Sequence, residues 1–372
     1  MQRLAYISTI IRPTSGTLNK LERQAKTAAR ADIPFDIYWT GKDVGLDWAA
    51  YPHLKLEFLD DAGPFSTRAR QAKRVNDLLA EYDKVVLRYP QWDPVLQLMI
   101  RDKKRVVLEL HTRYLTERLS EGSWRYWPER LFSSWMRAFG GLSGVSPEIV
   151  ASEAARAGFT GPTIVIPNSI DLAGYTPGNV PVWPKGERLK LIMVASQFYP
   201  WQGLELILGE MSKDIDKQLE LHLVGQLSDE QQRLAEAEPN VIIHGSKPAE
   251  TLKAMYQEMH AGLSFFNLGV KEMTSTSALK VCEYLASGLA VISAHHDSAL
   301  PENFKYELVT PRFDPKGIYD FMTRIRDSSR QSVQDAARPY IDSLVNTKRL
   351  YDFCVSLPPA DGSLSGAKAS GG

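Results

Sequence analysis

Short apolar, β-branched runs alternate with amphipathic stretches along most of the chain. In the first half these runs are LAYIST, FDIYWT, LKLEFL, KVVLRY, RVVLELH, LSGVS and TIVIPN. After WPKGERLK a second series follows: LKLIMVAS, LELHLVG, NVIIHG, AGLSFF and LAVIS. Runs apolar at nearly every position fit strands covered on both faces, as in a parallel sheet. Between them, SGTLNKLERQAKTAARAD, STRARQAKRVNDLLAEY and WQGLELILGEM place apolar residues at helical spacing. The alternation predicts an α/β protein with two doubly wound domains. PNSIDLAGYTPGNVPVWPKGE is rich in Pro and Gly and has no period, which marks the junction. The predicted organisation is a first domain over 1–168, a linker over 169–186 and a second domain over 187–338. A C-terminal helix over 339–357 packs back on the first domain, and a small, polar, Gly/Ser-rich tail over 358–372 is expected to be disordered.

Length agrees, since single cores stop growing at roughly 250 to 300 residues and this chain has 372. Lys and Arg total 44, as do Asp and Glu, so no global charge draws the protein to nucleic acid or membrane, and any anion site is local. RARQAKR and RDKKR read as solvated faces, with no nucleic-acid-binding motif beside them. The two cysteines, Cys282 and Cys354, suit a reducing compartment better than a disulfide framework. No apolar run reaches the ~18 residues of a membrane span, and MQRLAYISTIIRPTSG meets proline too early for a signal peptide. The expected location is cytoplasmic.

EMTSTSALKVCEYLASGLAVIS, residues 272–293, concentrates the candidate chemistry. Thr274 to Ser277 are natural N-cap residues, and the helix they introduce points unpaired N–H groups and its positive dipole end outward, an anion pocket. Lys280 and Glu283 lie three apart on one face, with Leu279, Cys282 and Leu285 or Ala286 on the apolar one. Gly288 stops the helix before LAVIS. Phosphate at the N–H groups and Lys280, with a diol accepted by Glu283, is what a nucleoside diphosphate requires. A capped amphipathic helix whose Lys and Glu face water has the same sequence.

SALKVCEYLASGLAVISA resembles the donor-site helix of retaining nucleotide-sugar glycosyltransferases of the GT-B fold, family 4, where SxxKxxEYLAxGxPVI is common. VIPNSID resembles that family's IPNGVD junction, and GVSPEIVASEAARAGF its VS segment. MVASQFYPWQGLELIL is similar to the first strand and helix of the donor domain, LHLVG to a later strand. VIIHGSKPAETLKAMYQEMHAGLSF resembles the passage after that. The resemblance spans about residues 1 to 355 and implies two Rossmann-like domains facing a central cleft. It further implies metal-independent transfer of a hexose-type sugar from a UDP- or GDP-sugar to a glycan or lipid-linked hydroxyl, with no cofactor. On this likeness Glu283 holds the ribose, and Lys280 with Ser275, Thr276 and Ser277 the diphosphate. The base lies near the turn His244, Gly245, Ser246 and Lys247. Two departures stand out. The first glutamate of the family's E-x7-E pattern falls at Ser275, leaving its task to Ser275, to backbone groups around Thr276 and Ser277, or to nearby Glu272. The arginine and lysine of GRxxxxKG fall at Gln197 and Gln202.

In the first domain, STIIRPTSGTLNKLERQA resembles the family's glycine-containing loop, so Gly16 with Ser15 and Thr17 is a candidate phosphate contact; an ordinary strand–helix turn is the alternative. RVVLELHTRYL puts His111 at a strand's carboxyl end, where the family often has a cleft histidine. The expected role is hydrogen bonding to sugar, leaving group or acceptor. No His, Cys, Asp or Glu set has metal-ligand spacing. GSWRYWPERLFSSWMRAF, residues 122–139, reads first as a helix packed on its sheet through Trp127, Leu131, Ser134 and Trp135. It is also the candidate surface for peripheral contact with the inner face of a membrane. A catalytically degenerate scaffold of a glycan assembly complex and a nucleotide-sugar epimerase remain alternatives.

Overall fold

The computed structural model describes residues 1–13, 15–59, 63–88, 94–110, 115, 119, 124, 126–131, 134, 143–146, 161–213, 219–271 and 276–358. The chain divides into two compact units, Met1–Ile166 with Asn346–Gly372, and Pro167–Val345.

The first unit is a parallel sheet of β1 (Leu4–Ser8), β2 (Phe35–Gly41), β3 (Lys55–Phe58), β4 (Lys84–Arg88), β5 (Val106–Glu109), β6 (Ser143–Ser146) and β7 (Thr163–Val165). Its order is β3-β2-β1-β4-β5-β6-β7, so the winding reverses between β1 and β4. Successive side chains of a strand point to opposite faces, and β1 divides accordingly. Leu4 and Tyr6 join Leu18, Leu21, Ala25 and Ala28 of the helix Ser15–Arg30. Ala5 and Ile7 join Ala72, Val75, Leu78 and Leu79 of the helix Pro64–Glu81 on the other face. Each helix buries residues three or four apart, which is why the two periodicities in the sequence predict this layering. Leu350, Tyr351, Cys354 and Leu357, from the helix Ser343–Ser356 and its end, join the first of these cores. The buried Lys84 ammonium donates to the carbonyls of Cys354 at 2.7 Å and Leu357 at 2.6 Å, groups that a helix end leaves without intrahelical partners.

The second unit has β8 (Leu189–Gln197), β9 (Leu219–Gln226), β10 (Val241–Gly245), β11 (Ala261–Leu263), β12 (Ala290–Ser293) and β13 (Glu307–Val309). All pair in parallel in the order β10-β9-β8-β11-β12-β13, and the winding reverses between β8 and β11. β13 extends the predicted series; its three residues sit in KYELVTPRF, too short to show a period. The Pro/Gly-rich stretch after Pro167 lies along this unit: Ile170 bridges Asp342, and Val180 and Val182 exchange backbone hydrogen bonds with Arg330 and Ser328. Both cysteines are free and buried.

One expectation of the first unit is overturned. Trp127 and Leu131, expected to pack on the sheet, are 67% and 70% exposed, whereas Glu129 is buried. Residues two apart lie on opposite sides of a helix, so the inward side passes through Glu129 and the aromatic side faces out. Ser134 is also exposed, and Trp135 lies outside the described residues.

Candidate active site

In open α/β sheets ligands gather beyond the carboxyl ends of the strands where the winding reverses. In the second unit that place lies between β8 and β11. The helix Leu279–Ala286 carries Tyr284 and Lys280, which reach Val194 at the end of β8 there, and Glu283. Tyr284, fully buried, accepts from the Val194 N–H at 3.0 Å and donates to the Leu263 carbonyl at 3.4 Å. Its hydroxyl thus ties β8 to β11 where their paired register ends at Met193 and Leu263. One turn earlier, on the same face, the Lys280 ammonium donates to the Val194 carbonyl at 3.3 Å and stands 4.4 Å from the centre of the Phe265 ring. Burial pushes its pKa down to about 7. The amine is held at the reversal point by a carbonyl and a ring face and is charged below that pH. Glu283, half-buried, accepts from the Tyr256 hydroxyl at 3.1 Å. That hydroxyl's pKa is raised, foremost by burial and further by Tyr284 and Glu283.

The helix starts differently from expectation. Its N-cap is Ala278, not a hydroxyl residue, and the cap comes from across the fold, where the Asp297 carboxylate accepts the Ala278 N–H at 3.1 Å and the Ala299 N–H at 2.9 Å. Burial pushes the Asp297 pKa up to about 7. Behind it, Glu307 accepts from the Asp297 N–H at 2.8 Å and lies 2.7 Å from His296 Nδ1. The buried Ser277 hydroxyl accepts from the Asn168 N–H at 3.0 Å, its carbonyl accepts from the Asn168 side-chain amide at 2.8 Å, and the Cys282 thiol donates to the Asn168 carbonyl at 3.3 Å. Thr276, also buried, bridges Asp297. The Ser277 hydroxyl and the Thr276 backbone therefore build the helix start, and the N–H groups of Leu279 and Lys280 have no intrahelical acceptor. Leu279, expected on the apolar face, is exposed, and Val281 and Tyr284 are buried in its stead. Gly288, at φ +77°, ends the helix with no room for a side chain against Arg330.

Other sequence-predicted residues spread around the carboxyl ends of this sheet. Gln197 is exposed at the end of β8. Gln202 is buried, its side-chain oxygen accepting the Tyr199 N–H at 2.6 Å, so its carboxamide closes its own turn. That turn is pinned to the loop after β11 by Phe266 N–H to Gln202 carbonyl at 3.0 Å and Asn267 N–H to Trp201 carbonyl at 3.2 Å. His244 ends β10 with Gly245 at φ +67°, while Ser246 and Lys247 are exposed. His244 Nε2 lies 2.9 Å from His222 Nδ1, and His222 Nε2 lies 2.9 Å from Glu220. Burial, the neighbouring His222 and Lys247 lower the His244 pKa, which keeps the ring neutral. Ser275 and Glu272 lie outside the described residues.

In the first unit, Ser15, Gly16 and Thr17 form the first turn of the helix after β1, with Gly16 exposed and Thr17 half-buried. His111 lies outside the described residues. Sequence reasoning missed a polar cluster here. Glu109, at the end of β5, accepts from the Tyr6 hydroxyl of β1 and stands 3.7 Å from the Lys20 ammonium, whose pKa burial lowers. It missed Asp297, Tyr284 and Tyr256 as well. Tyr284 alone carried a local signal, four residues from Lys280 on the same face.

The fold is that of GT-B glycosyltransferases. Residues 188–327 match the family model described as Glycosyl transferases group 1. A search of curated proteins gives no match. Among solved structures, the chain is similar to a glycosyltransferase from Rickettsia africae, with TM-score 0.68, 11% identity, and coverage of 96% of this chain and 100% of that one. It is similar to sucrose-phosphate synthase from Thermosynechococcus elongatus, with TM-score 0.64, 15% identity and coverage of 96% and 100%. It is also similar to Anabaena HepE in complex with UDP and glucose, with TM-score 0.62, 14% identity and coverage of 96% and 100%.

Proposed function

We propose that this chain is a retaining, metal-independent glycosyltransferase that moves a hexose-type sugar from a UDP- or GDP-sugar to a glycan or lipid-linked hydroxyl in polysaccharide or glycoconjugate synthesis. The observation that carries the reading is Lys280, a desolvated amine in the first turn of its helix, at the reversal point of a sheet whose residues 188–327 match the Glycosyl transferases group 1 model. As the glycosidic bond breaks, negative charge grows on the leaving diphosphate, and donors already in place stabilise it without reorganising. Glu283, held by Tyr256, accepts the ribose hydroxyls. The leaving phosphate takes the acceptor's proton on the same face, which conserves configuration. HepE's complex with UDP and glucose supports a nucleotide-sugar donor for this fold. Calorimetry with UDP- and GDP-sugars, followed by product analysis with and without acceptor, tests it: binding with transfer or hydrolysis is expected. Silence towards every donor leaves the scaffold reading, which the inward-turned Gln202 favours. A changed sugar without acceptor leaves the epimerase.

The acceptor side carries a second expectation. Trp124, Trp127 and Leu131 are 65%, 67% and 70% exposed, with Arg130 exposed beside them, a composition suited to the headgroup boundary of an anionic membrane. No helix among the described residues is long and apolar enough to cross one. Wild-type protein should float with vesicles containing phosphatidylglycerol at low salt, and a Trp127→Ser/Leu131→Ser variant should remain behind. Equal flotation of the two would remove this surface from membrane contact.

A further inference from the structure

The chain Glu220–His222–His244 ends in the turn where the family likeness puts the base, and its proton positions follow from its ends. Glu220 Oε1 is 2.9 Å from His222 Nε2, and its other oxygen faces the Arg188 guanidinium at 3.6 Å. The carboxylate is thus an acceptor on both sides, and His222 Nε2 carries a hydrogen. His222 Nδ1 is then the acceptor of the next bond, and His244 Nε2, 2.9 Å away, carries the hydrogen of that one. The rings lie nearly parallel, at 12° with centroids 5.1 Å apart, which suits an edge-to-edge bond. His244 Nδ1 is left as a lone pair, with no partner among the described residues, on a half-buried ring at the carboxyl end of β10. Strands spaced ~4.8 Å apart set β10 ~10 Å from β8, whose Val194 carbonyl Lys280 meets, a span on the scale of a nucleoside and its diphosphate.

We propose that Glu220, His222 and His244 form a base-reading relay: the outer imidazole offers Nδ1 as a fixed hydrogen-bond acceptor, selecting nucleotides whose base carries a ring N–H, uracil or guanine, over cytosine and adenine. The relay rests on the nucleotide-sugar reading and names the feature of the base that the site recognises. A ring nitrogen with a lone pair, as in cytosine or adenine, meets the Nδ1 lone pair and leaves two acceptors opposed. A site that places a polar group against a particular edge rejects the analogue lacking its complement more strongly than an apolar pocket does.

Calorimetry of the full chain at pH 8 with UDP, GDP, CDP and ADP tests this. Wild-type protein should bind UDP or GDP at least about tenfold more tightly than CDP or ADP. His244→Ala should remove most of that preference by weakening the favoured nucleotide alone, and His244→Gln, which keeps an acceptor oxygen, should retain part of it. Glu220→Gln leaves the His244 ring in place but offers His222 an N–H, permitting the opposite tautomers, so it should narrow the preference; a packing role for Glu220 would not. Thermal unfolding of each variant reports whether it is folded. Nucleotide binding with no discrimination by base, or discrimination unmoved in His244→Ala or Glu220→Gln, overturns the relay alone. A wild-type chain that binds no nucleotide overturns the reading on which it rests.

Discussion

Replacing Lys280 by methionine is expected to leave the chain folded while lowering kcat/KM for its sugar donor by about 100-fold or more, the scale of removing one preorganised donor from a developing anion. The side chain's volume is nearly kept, so the pocket between Val194 and Phe265 stays filled. Stability should move the other way. The folded pKa of about 7 lies below the ordinary lysine value of 10.5, so between these two pH values the unfolded chain binds more protons, and wild-type stability rises with pH across that window. Below pH 7 the buried ammonium is charged in both states and its full desolvation cost is present. Lys280→Met removes that cost, a gain of about 1 kcal/mol after allowing for the residue's partial exposure, or about 2–4 °C in Tm. The variant should therefore unfold at a higher temperature than wild type at pH 6, with the gap closing towards pH 10. Donor binding should obey the same proton. An anion favours charged Lys280, so a nucleotide sugar should bind more weakly as pH rises through about 7 and draw up protons as it binds, as calorimetry in buffers of different ionisation heat reads directly. Wild-type kcat/KM in the variant would remove Lys280 from the leaving group.

Much of the architecture was legible because its signal is local. β1 is buried on both faces, and LAYIS shows it; the helix Ser15–Arg30 buries Leu18, Leu21, Ala25 and Ala28, and the spacing of its sequence shows that too. The geometry of the candidate site was legible only where one helix carries it. Lys280 and Glu283 sit on the same short element, so three residues of separation fix their common face. Asp297 was not legible: it caps Ala278 across 19 positions, a pairing made by the adjacency of β12 and the helix start, which nothing in either segment announces. Ser277 misled for the same reason, since a hydroxyl near a helix start is a capping signal only if the chain enters at the right angle. Here Ser277 answers to Asn168, whose position is set by the junction segment. The exposed Trp127 shows the remaining ambiguity. Helical spacing says that a stripe exists, but a stripe of Trp, Leu and Arg satisfies a core and a membrane boundary equally, and only burial decides which side turns inward.

Gly262→Ala should strongly destabilise the second unit. Glycine inside a buried strand costs stability unless something occupies the space of its side chain, and here the Tyr284 ring does. A Cβ at position 262 would fall 2.1 Å from Tyr284 Cδ2 and 2.3 Å from Cγ. The ring is fully buried, so it has no solvent to swing into. Pushing it aside overpacks the core and withdraws the hydroxyl from the Val194 N–H, costs of about 1–3 kcal/mol each, so a combined loss of about 2–6 kcal/mol is expected from urea denaturation. That is comparable to the whole stability of many domains. Tyr284→Phe separates the two contributions, because it keeps the ring and removes only the tie between β8 and β11; it should cost about 1–3 kcal/mol. Tyr284→Leu in the Gly262→Ala background should recover part of the loss, because the smaller side chain admits the methyl, so the double variant should be more stable than the sum of the singles allows. Strict additivity, or a neutral Gly262→Ala, would mean that the ring does not cross this strand. Lys280 would then lose the support that fixes it, since its ammonium and the Tyr284 hydroxyl hold the same residue, Val194, from one face of one helix.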